Sequence, residues 1–203
     1  MTSEENTDVD PEEEKSLFAR MQRILFDIML TTDGRTTDML ETLMGEKMSV
    51  LVIRQEQISE EQAAHLGALS GGPYYVRESI LFGENSKVVV SHNIVLVCAK
   101  YVPPPMFEAL ASKQEGIGKT IGALGLKTSR KLADFGWRKE EEAADLFGRP
   151  IKLGFSLMDG KAPFKKYSII FDAMPGIHLL EYFNPDIVYY RFRQGNVNKG
   201  REN

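Results

Sequence analysis

Two charged side chains lie inside otherwise apolar segments of this chain. Arg77 lies in residues 74–82, which are rich in aromatic and aliphatic side chains, and Glu181 lies in residues 179–183. The alternation of a β-strand allows either side chain to face water, but facing inward each needs a partner, because an unpaired buried charge is very costly. The two could pair with each other, or both could contact a polar ligand. A guanidinium binds a carboxylate through two parallel N–H bonds, so Arg77 is a candidate carboxylate-binding residue.

A glycine-punctuated segment is a second candidate. Residues 116–120 read Gly-Ile-Gly-Lys-Thr, like the end of a phosphate-binding loop. The full motif needs a glycine at position 113 and a strand just before it, whereas position 113 is Lys113 and the preceding residues predict a helix. A helix–helix connection is the simpler interpretation. An intermediate alternative is a glycine loop whose backbone N–H groups and Lys119 cap an anionic ligand.

Other kinds of chemistry have little support. His65, His92 and His178 lack metal-ligand spacing, so we predict no metal site. No Gly-x-Ser-x-Gly turn is present. The single cysteine, Cys98, lies in an apolar stretch, which predicts a buried, inert thiol.

The composition bounds the class of protein. The chain has 203 residues, is 42% hydrophobic and 27% charged, and carries a formal net charge of −4. This suits one ordinary globular domain, and the negative charge argues against nucleic acid as a partner. No apolar run approaches membrane-spanning length, so we expect no membrane association and a cytoplasmic location. We predict an acidic disordered tail over residues 1–14, a domain over residues 15–189 and a basic polar tail over residues 190–203.

The positioning elements are predicted from periodicity. Helices are expected at residues 17–29, 36–44, 59–69 (with a Ser59–Gln62 capping box) and 106–112, and in most of residues 116–148, notably 127–135 and 139–147. Six strands are expected at residues 48–57, 74–82, 87–99, 151–158, 165–173 and 177–183. Strands joined by short turns pair antiparallel, so the fold class is α+β with a six-stranded antiparallel sheet and flanking helices.

The order of several short segments points to a known family. They are Asp33-Gly34-Arg35, Val52-Ile53-Arg54-Gln55, Tyr74-Tyr75-Val76-Arg77-Glu78, Gly118-Lys119 and Leu180-Glu181 with Phe183 and Pro185. In this order they resemble the chorismate pyruvate-lyase family, including its divergent microbial branch, over roughly residues 24–186. The resemblance implies an internal ligand cavity between the sheet and the helices. It also implies a cofactor-free lyase that converts chorismate to 4-hydroxybenzoate and pyruvate.

The resemblance assigns roles to individual residues. Arg77 would bind the ring carboxylate and Glu181 the ring hydroxyl at the other end of the cavity. Arg35, Ile117, Gly118 and Lys119 would complete the pocket around this aromatic or carboxylate ligand. Arg35, Lys119, Arg54 and Lys165 are alternative partners for a second carboxylate.

One departure from the family pattern leaves alternatives open. Arg35 stands where members of the family tend to have an apolar residue. The chain could therefore be an enzyme of the same fold acting on another small anionic or polyketide-like substrate of secondary metabolism. It could also be a non-catalytic small-molecule-binding module.

Overall fold

The computed structural model describes residues 11–112 and 115–199, which form six helices and six strands. The helices are α1 (Pro11–Thr31), α2 (Thr36–Met44), α3 (Glu60–His65), α4 (Pro104–Ala111), α5 (Ile117–Ala123) and α6 (Ile187–Lys199). The strands are β1 (Met48–Ile58), β2 (Tyr74–Gly83), β3 (Val89–Cys98), β4 (Ser129–Lys139), β5 (Lys161–Phe171) and β6 (Met174–Phe183).

All six strands form one antiparallel sheet in the order β1-β2-β3-β6-β5-β4. The α+β class with a six-stranded antiparallel sheet and flanking helices is therefore confirmed. Alternation along the strands sends every second side chain to one face. Val95, Tyr167 and Leu179 pack on that face against α4 and α5, whereas Leu96 and Leu180 pack on the other face with Ala63 of α3 and the segment before β5.

Local signals in the sequence set several element ends. Gly45 ends α2 at a backbone φ of 69°, a left-handed conformation that glycine adopts without strain. The predicted capping box is present: Ser59 accepts from the Gln62 backbone N–H at 3.2 Å, and its own N–H donates to the Gln62 side chain at 3.0 Å. Helix α3 is shorter than expected and stops at His65, just before Gly67 with its φ of 78°.

The strand count was correct, but one strand was misplaced. Residues 129–139, predicted to be mainly helical, form the edge strand β4. A register shift between Leu132 and Asp134 interrupts its alternation, and both Leu132 and Phe135 stay exposed, so the i, i+3 spacing of these two apolar residues resembled a helix. Residues 151–158, predicted to be a strand, have no place in the sheet; their apolar side chains instead cover its face.

The predicted domain boundaries stay predictions. Residues 1–10 and 200–203 lie outside the described residues, while α1 begins at Pro11 and α6 extends to Lys199. Both helices thus run into the segments that were predicted to be tails. None of the helices in the described ranges is long and apolar enough to cross a membrane. The cytoplasmic location stays a prediction.

Two buried side chains, on the face of the sheet away from α4 and α5, have shifted pKa values. The Gly154 N–H donates to Nδ1 of His92 at 3.1 Å, so Nε2 carries the ring proton and donates to Glu78 at 2.9 Å. Burial lowers the pKa of His92, and the Glu78 carboxylate only partly opposes this. Burial also raises the pKa of Cys98 to about 11, in line with an inert thiol.

We expect His92 to make the fold sensitive to mild acid. Because its folded-state pKa lies below the unfolded value of about 6.5, its contribution to stability is complete above that value and is lost as the pH falls through the window beneath it. Burial and Lys166 lower the pKa of His178 too, so it acts in the same direction. Urea unfolding of His92→Gln between about pH 8 and pH 5 should show a smaller loss of stability than wild type, by up to about 1.4 kcal/mol per pH unit.

The exposed His65 supplies the matched control for this experiment. The His65→Gln variant should follow the wild-type pH profile. Comparing slopes between variants cancels the contribution of the acidic groups that do not contact the substituted histidine. An unchanged slope in His92→Gln would contradict the argument.

Candidate functional site

The site is a cavity between the sheet and the helices on the α4–α5 face. The strand register places two neighbouring rows of side chains on its floor. One row runs through Arg77, Val95, Leu179 and Tyr167, and the next through Ser79, Asn93, Glu181 and Lys165. The start of α2 and the first turn of α5 cover these rows. The cavity volume is about 50 Å³, room for a few water molecules.

Arg77 is a buried cation without an acidic partner among the described residues. Its side chain, on β2, is 2% exposed. Nη1 donates to the carbonyl of Leu110 at the end of α4 at 3.2 Å, and Nη2 donates to the carbonyl of Glu115 at 2.8 Å. A guanidinium has five N–H donors, so further donors can bind a ligand. Burial lowers the pKa of Arg77, yet an arginine stays charged, so this position favours an anion.

Glu181 lies two strands away, on β6, and does not pair with Arg77. Its carboxylate accepts a hydrogen bond from the Tyr167 hydroxyl, and Thr36 Oγ1 at the start of α2 donates to it at 3.5 Å. Burial raises the pKa of Glu181, while Tyr167, Lys165 and Arg130 oppose that rise. The mutual ion pair that the residues alone left open is therefore absent, and both side chains line the same cavity.

Lys165 forms the cross-strand neighbour of Glu181 and anchors one wall. It is 2% exposed, and its ammonium donates to the carbonyls of Met29 and Thr32. These carbonyls belong to the end of α1 and the turn that leads to α2. Burial lowers the pKa of Lys165, and Glu181 opposes this. The ammonium thus holds the cover of the cavity and offsets the charge of Glu181.

Two further polar atoms of cavity-lining residues were not anticipated from the sequence. Asn93 Oδ1 and Arg130 Nε are buried and have no hydrogen-bond partner among the described residues. Arg130 Nη1 donates to the carbonyl of Asp33 at 3.1 Å. Recognising β4 as a strand would have placed Arg130 opposite Ile169, which also lines the cavity. Buried atoms of this kind point to a polar ligand or ordered water.

The remaining predicted site residues divide between the cavity and its surroundings. Arg35, Ile117 and Gly118 line the cavity. Lys119 instead lines a larger outer pocket of about 630 Å³ that shares Arg35 and Gly116 with the cavity. Arg35 is 44% exposed and forms an ion pair with Asp38 at 2.5 Å. Arg35 and Gly116 therefore lie where the cavity and the outer pocket adjoin.

Two of the alternative partners for a second carboxylate are already occupied. Arg54 points to the opposite face of the sheet, where Nε contacts Glu78 at 2.6 Å. The Lys165 ammonium is taken up by its two backbone carbonyls. Helix α4, not a strand, precedes the Gly116–Thr120 segment, so a phosphate-binding loop is excluded.

Comparisons with known proteins give distant structural likenesses. No protein-family model matches the chain, and no curated protein matches it by sequence. PhnF from Mycobacterium smegmatis is 18% identical, with a TM-score of 0.46 over 77% of this chain and 66% of PhnF. A ligand-binding domain from Bordetella bronchiseptica, of a protein assigned to the GntR family of transcriptional regulators, is 12% identical, with a TM-score of 0.39 over 67% and 84%. The C-terminal domain of the histidine utilization repressor from Pseudomonas syringae is 14% identical, with a TM-score of 0.37 over 68% and 92%.

These comparisons correct the expected activity. The prediction of a carbon–oxygen lyase is wrong: two of the similar structures are described as the ligand-binding domain of a GntR-family regulator and the C-terminal domain of a repressor. The expected absence of a nucleic-acid partner stays a prediction. The chain spans slightly less than two thirds of PhnF.

Proposed function

We propose that this chain is a small-molecule-binding module whose cavity takes a compact carboxylate. The observation that carries the proposal is Arg77, a buried guanidinium bonded to two backbone carbonyls and to no acidic side chain of the described residues. A carboxylate in the cavity would supply the missing negative charge and accept two parallel N–H bonds. No catalytic step is part of this proposal.

The other side of the cavity favours a hydrogen-bond donor on the ligand. Asn93 Oδ1 is an unpartnered acceptor, and Glu181 adds a second acceptor in the same row. The strand spacing separates the Cα atoms of Arg77 and Glu181 by roughly 12 Å. With both side chains reaching inward, the gap suits one ring that carries a carboxylate at one end and a hydroxyl or amino group at the other.

Such a ligand requires the cavity to widen. Small-molecule pockets usually have volumes of about 300–1,000 Å³. The inner cavity is far below this range, at about 50 Å³, but the adjoining outer pocket, at about 630 Å³, lies within it. We therefore expect the ligand to enter past Arg35 and to merge the two spaces.

Calorimetric titration with matched carboxylates and amides tests the proposal. We expect 4-hydroxybenzoate to bind more tightly than benzoate, because only the former offers a donor to Asn93 and Glu181. We expect 4-hydroxybenzamide, which has the same shape without the charge, to bind at least about 30-fold more weakly than 4-hydroxybenzoate. Equal affinity for the acid and the amide would refute an ion pair at Arg77.

A further inference from the structure

Helix α1 carries an apolar stripe that faces away from the rest of the protein. Leu17, Met21, Ile24 and Ile28 are 58%, 40%, 58% and 59% exposed. Their spacing of four, three and four residues is the repeat with which two helices pack along a shared seam. We call these four residues the α1 seam.

The α1 seam lies on a different face of the helix from the one that packs against the domain. Phe26, Met29 and Leu30 of the same helix are buried in the core. A surface groove of about 350 Å³ between α1 and α2 adjoins the seam, and its lining is mostly apolar. Its apolar residues are Leu25, Phe26, Ile28, Met29, Met39 and Leu43. The chain therefore displays both an apolar ridge and an apolar groove on one side.

We propose that the α1 seam pairs antiparallel with the α1 seam of a second copy of this chain. A two-fold axis midway along the seam places Leu17 opposite Ile28 of the partner subunit, and Met21 opposite Ile24 of the partner subunit. Leu17 then enters the groove between the partner's helices α1 and α2. Each subunit fills the other's groove in the same way.

The charges beside the seam favour this orientation and this partner. The antiparallel register places Arg20 next to the partner's Asp27, and symmetry repeats the pair. Arg20 has no ion-pair partner among the described residues. Asp27 accepts bonds from Arg23 and Trp137, and a carboxylate has lone pairs left for a further donor. A parallel pairing would instead set Arg20 against the partner's Leu25.

The chain's own N-terminal segment is a poorer occupant. Residues 1–10 contain only Met1 and Val9 as apolar side chains. They could not fill an apolar groove of this length. Contact between two seams and grooves would bury roughly 1,000 Å², at the low end for specific interfaces, in the size class of weak and transient complexes.

Sedimentation velocity on the full chain from about 1 to about 200 µM tests the proposal. We expect a shift from the 22.9 kDa monomer towards a dimer as the concentration rises. Ile24→Glu should weaken the dimer at least about 30-fold, since it places two charges at the centre of the seam. Leu51→Glu is the matched control, because Leu51 is 54% exposed on the edge strand β1, outside the seam, and this variant should dimerise like wild type.

Each result supports or overturns the proposal. A wild-type monomer at every concentration refutes it, as does a dimer that survives Ile24→Glu. If Ile24→Glu and Leu51→Glu both lose the dimer while their circular dichroism and melting temperature stay as in wild type, the interface does not lie specifically at the α1 seam. Mixing the Met21→Cys and Ile24→Cys variants, each in a Cys98→Ala background, tests the orientation of the two helices. A disulfide that joins one variant to the other indicates antiparallel helices. Disulfides that join two copies of the same variant indicate parallel helices.

Discussion

The Arg77→Met variant is expected to lose carboxylate binding by at least about 30-fold while the unliganded domain still folds. Removing one partner of a buried charge pair typically costs about 2–5 kcal/mol of binding free energy. Methionine retains the length and apolar stem of the side chain, so the cavity wall should stay filled. The measurement is calorimetric titration with 4-hydroxybenzoate, together with urea unfolding of the unliganded protein.

The stability of this variant separates a ligand site from a structural one. Among the described residues, the buried guanidinium has two carbonyl partners and no acidic side chain as counter-ion. Methionine removes a buried charge whose desolvation is costly, but it also leaves the carbonyls of Leu110 and Glu115 without this donor. These two effects oppose each other, so we expect the free energy of unfolding to change by less than about 2 kcal/mol. Unfolding of the variant at room temperature would show that Arg77 serves the fold.

Arg54→Met is the matched control for charge. Arg54 is the next arginine on the neighbouring strand, but it lies on the opposite face of the sheet with Glu78. This variant removes the same charge without changing the cavity, so its ligand affinity should stay within about twofold of wild type. Equal losses of affinity in both variants would indicate a general effect of net charge.

The Lys165→Met variant should be destabilised by about 3 kcal/mol. Lys165 is buried beside Glu181 and is its cross-strand neighbour. Removing one member of a buried charged pair leaves the other uncompensated. The two carbonyls at the end of α1 and in the following turn also lose their donor. Urea unfolding at neutral pH measures the effect.

A double-mutant cycle separates these two causes. Glu181→Gln keeps the shape of the side chain but removes its charge. Relief from burying that charge opposes the loss of the counter-charge of Lys165, so this single variant should change the stability little at neutral pH. Any gain should vanish in acid, because the raised pKa of Glu181 means that wild type takes up a proton there as the pH falls. Adding Glu181→Gln to Lys165→Met should raise the stability by at least about 1 kcal/mol more than adding it to wild type does. Strict additivity would mean that the charges do not interact.

The sheet shows which strands can be predicted from the local sequence pattern and which cannot. Strands β2, β3 and β6 lie inside the sheet and are buried or half-buried along nearly their whole length, so each can be recognised from its largely apolar sequence. The edge strand β4 is mostly exposed, and its register shift breaks the alternation. Its apolar residues therefore carry no reliable period, and it was predicted as helix. Residues 151–158 are the opposite error: this apolar run was predicted as a strand, but it covers the sheet without joining it.

The site shows the same division. The sequence by itself determined the α+β class, the capping box at Ser59 and the candidacy of Arg77 and Glu181, because these follow from periodicity, short-range spacing and the order of segments. Only the tertiary structure decided that these two side chains share one cavity without pairing, since that depends on the register of three strands. It also brought Asn93 and Arg130 to the cavity. Buried partners distant in sequence leave no local pattern, so the buried, unpaired charge of Arg77 became visible only when the chain was folded.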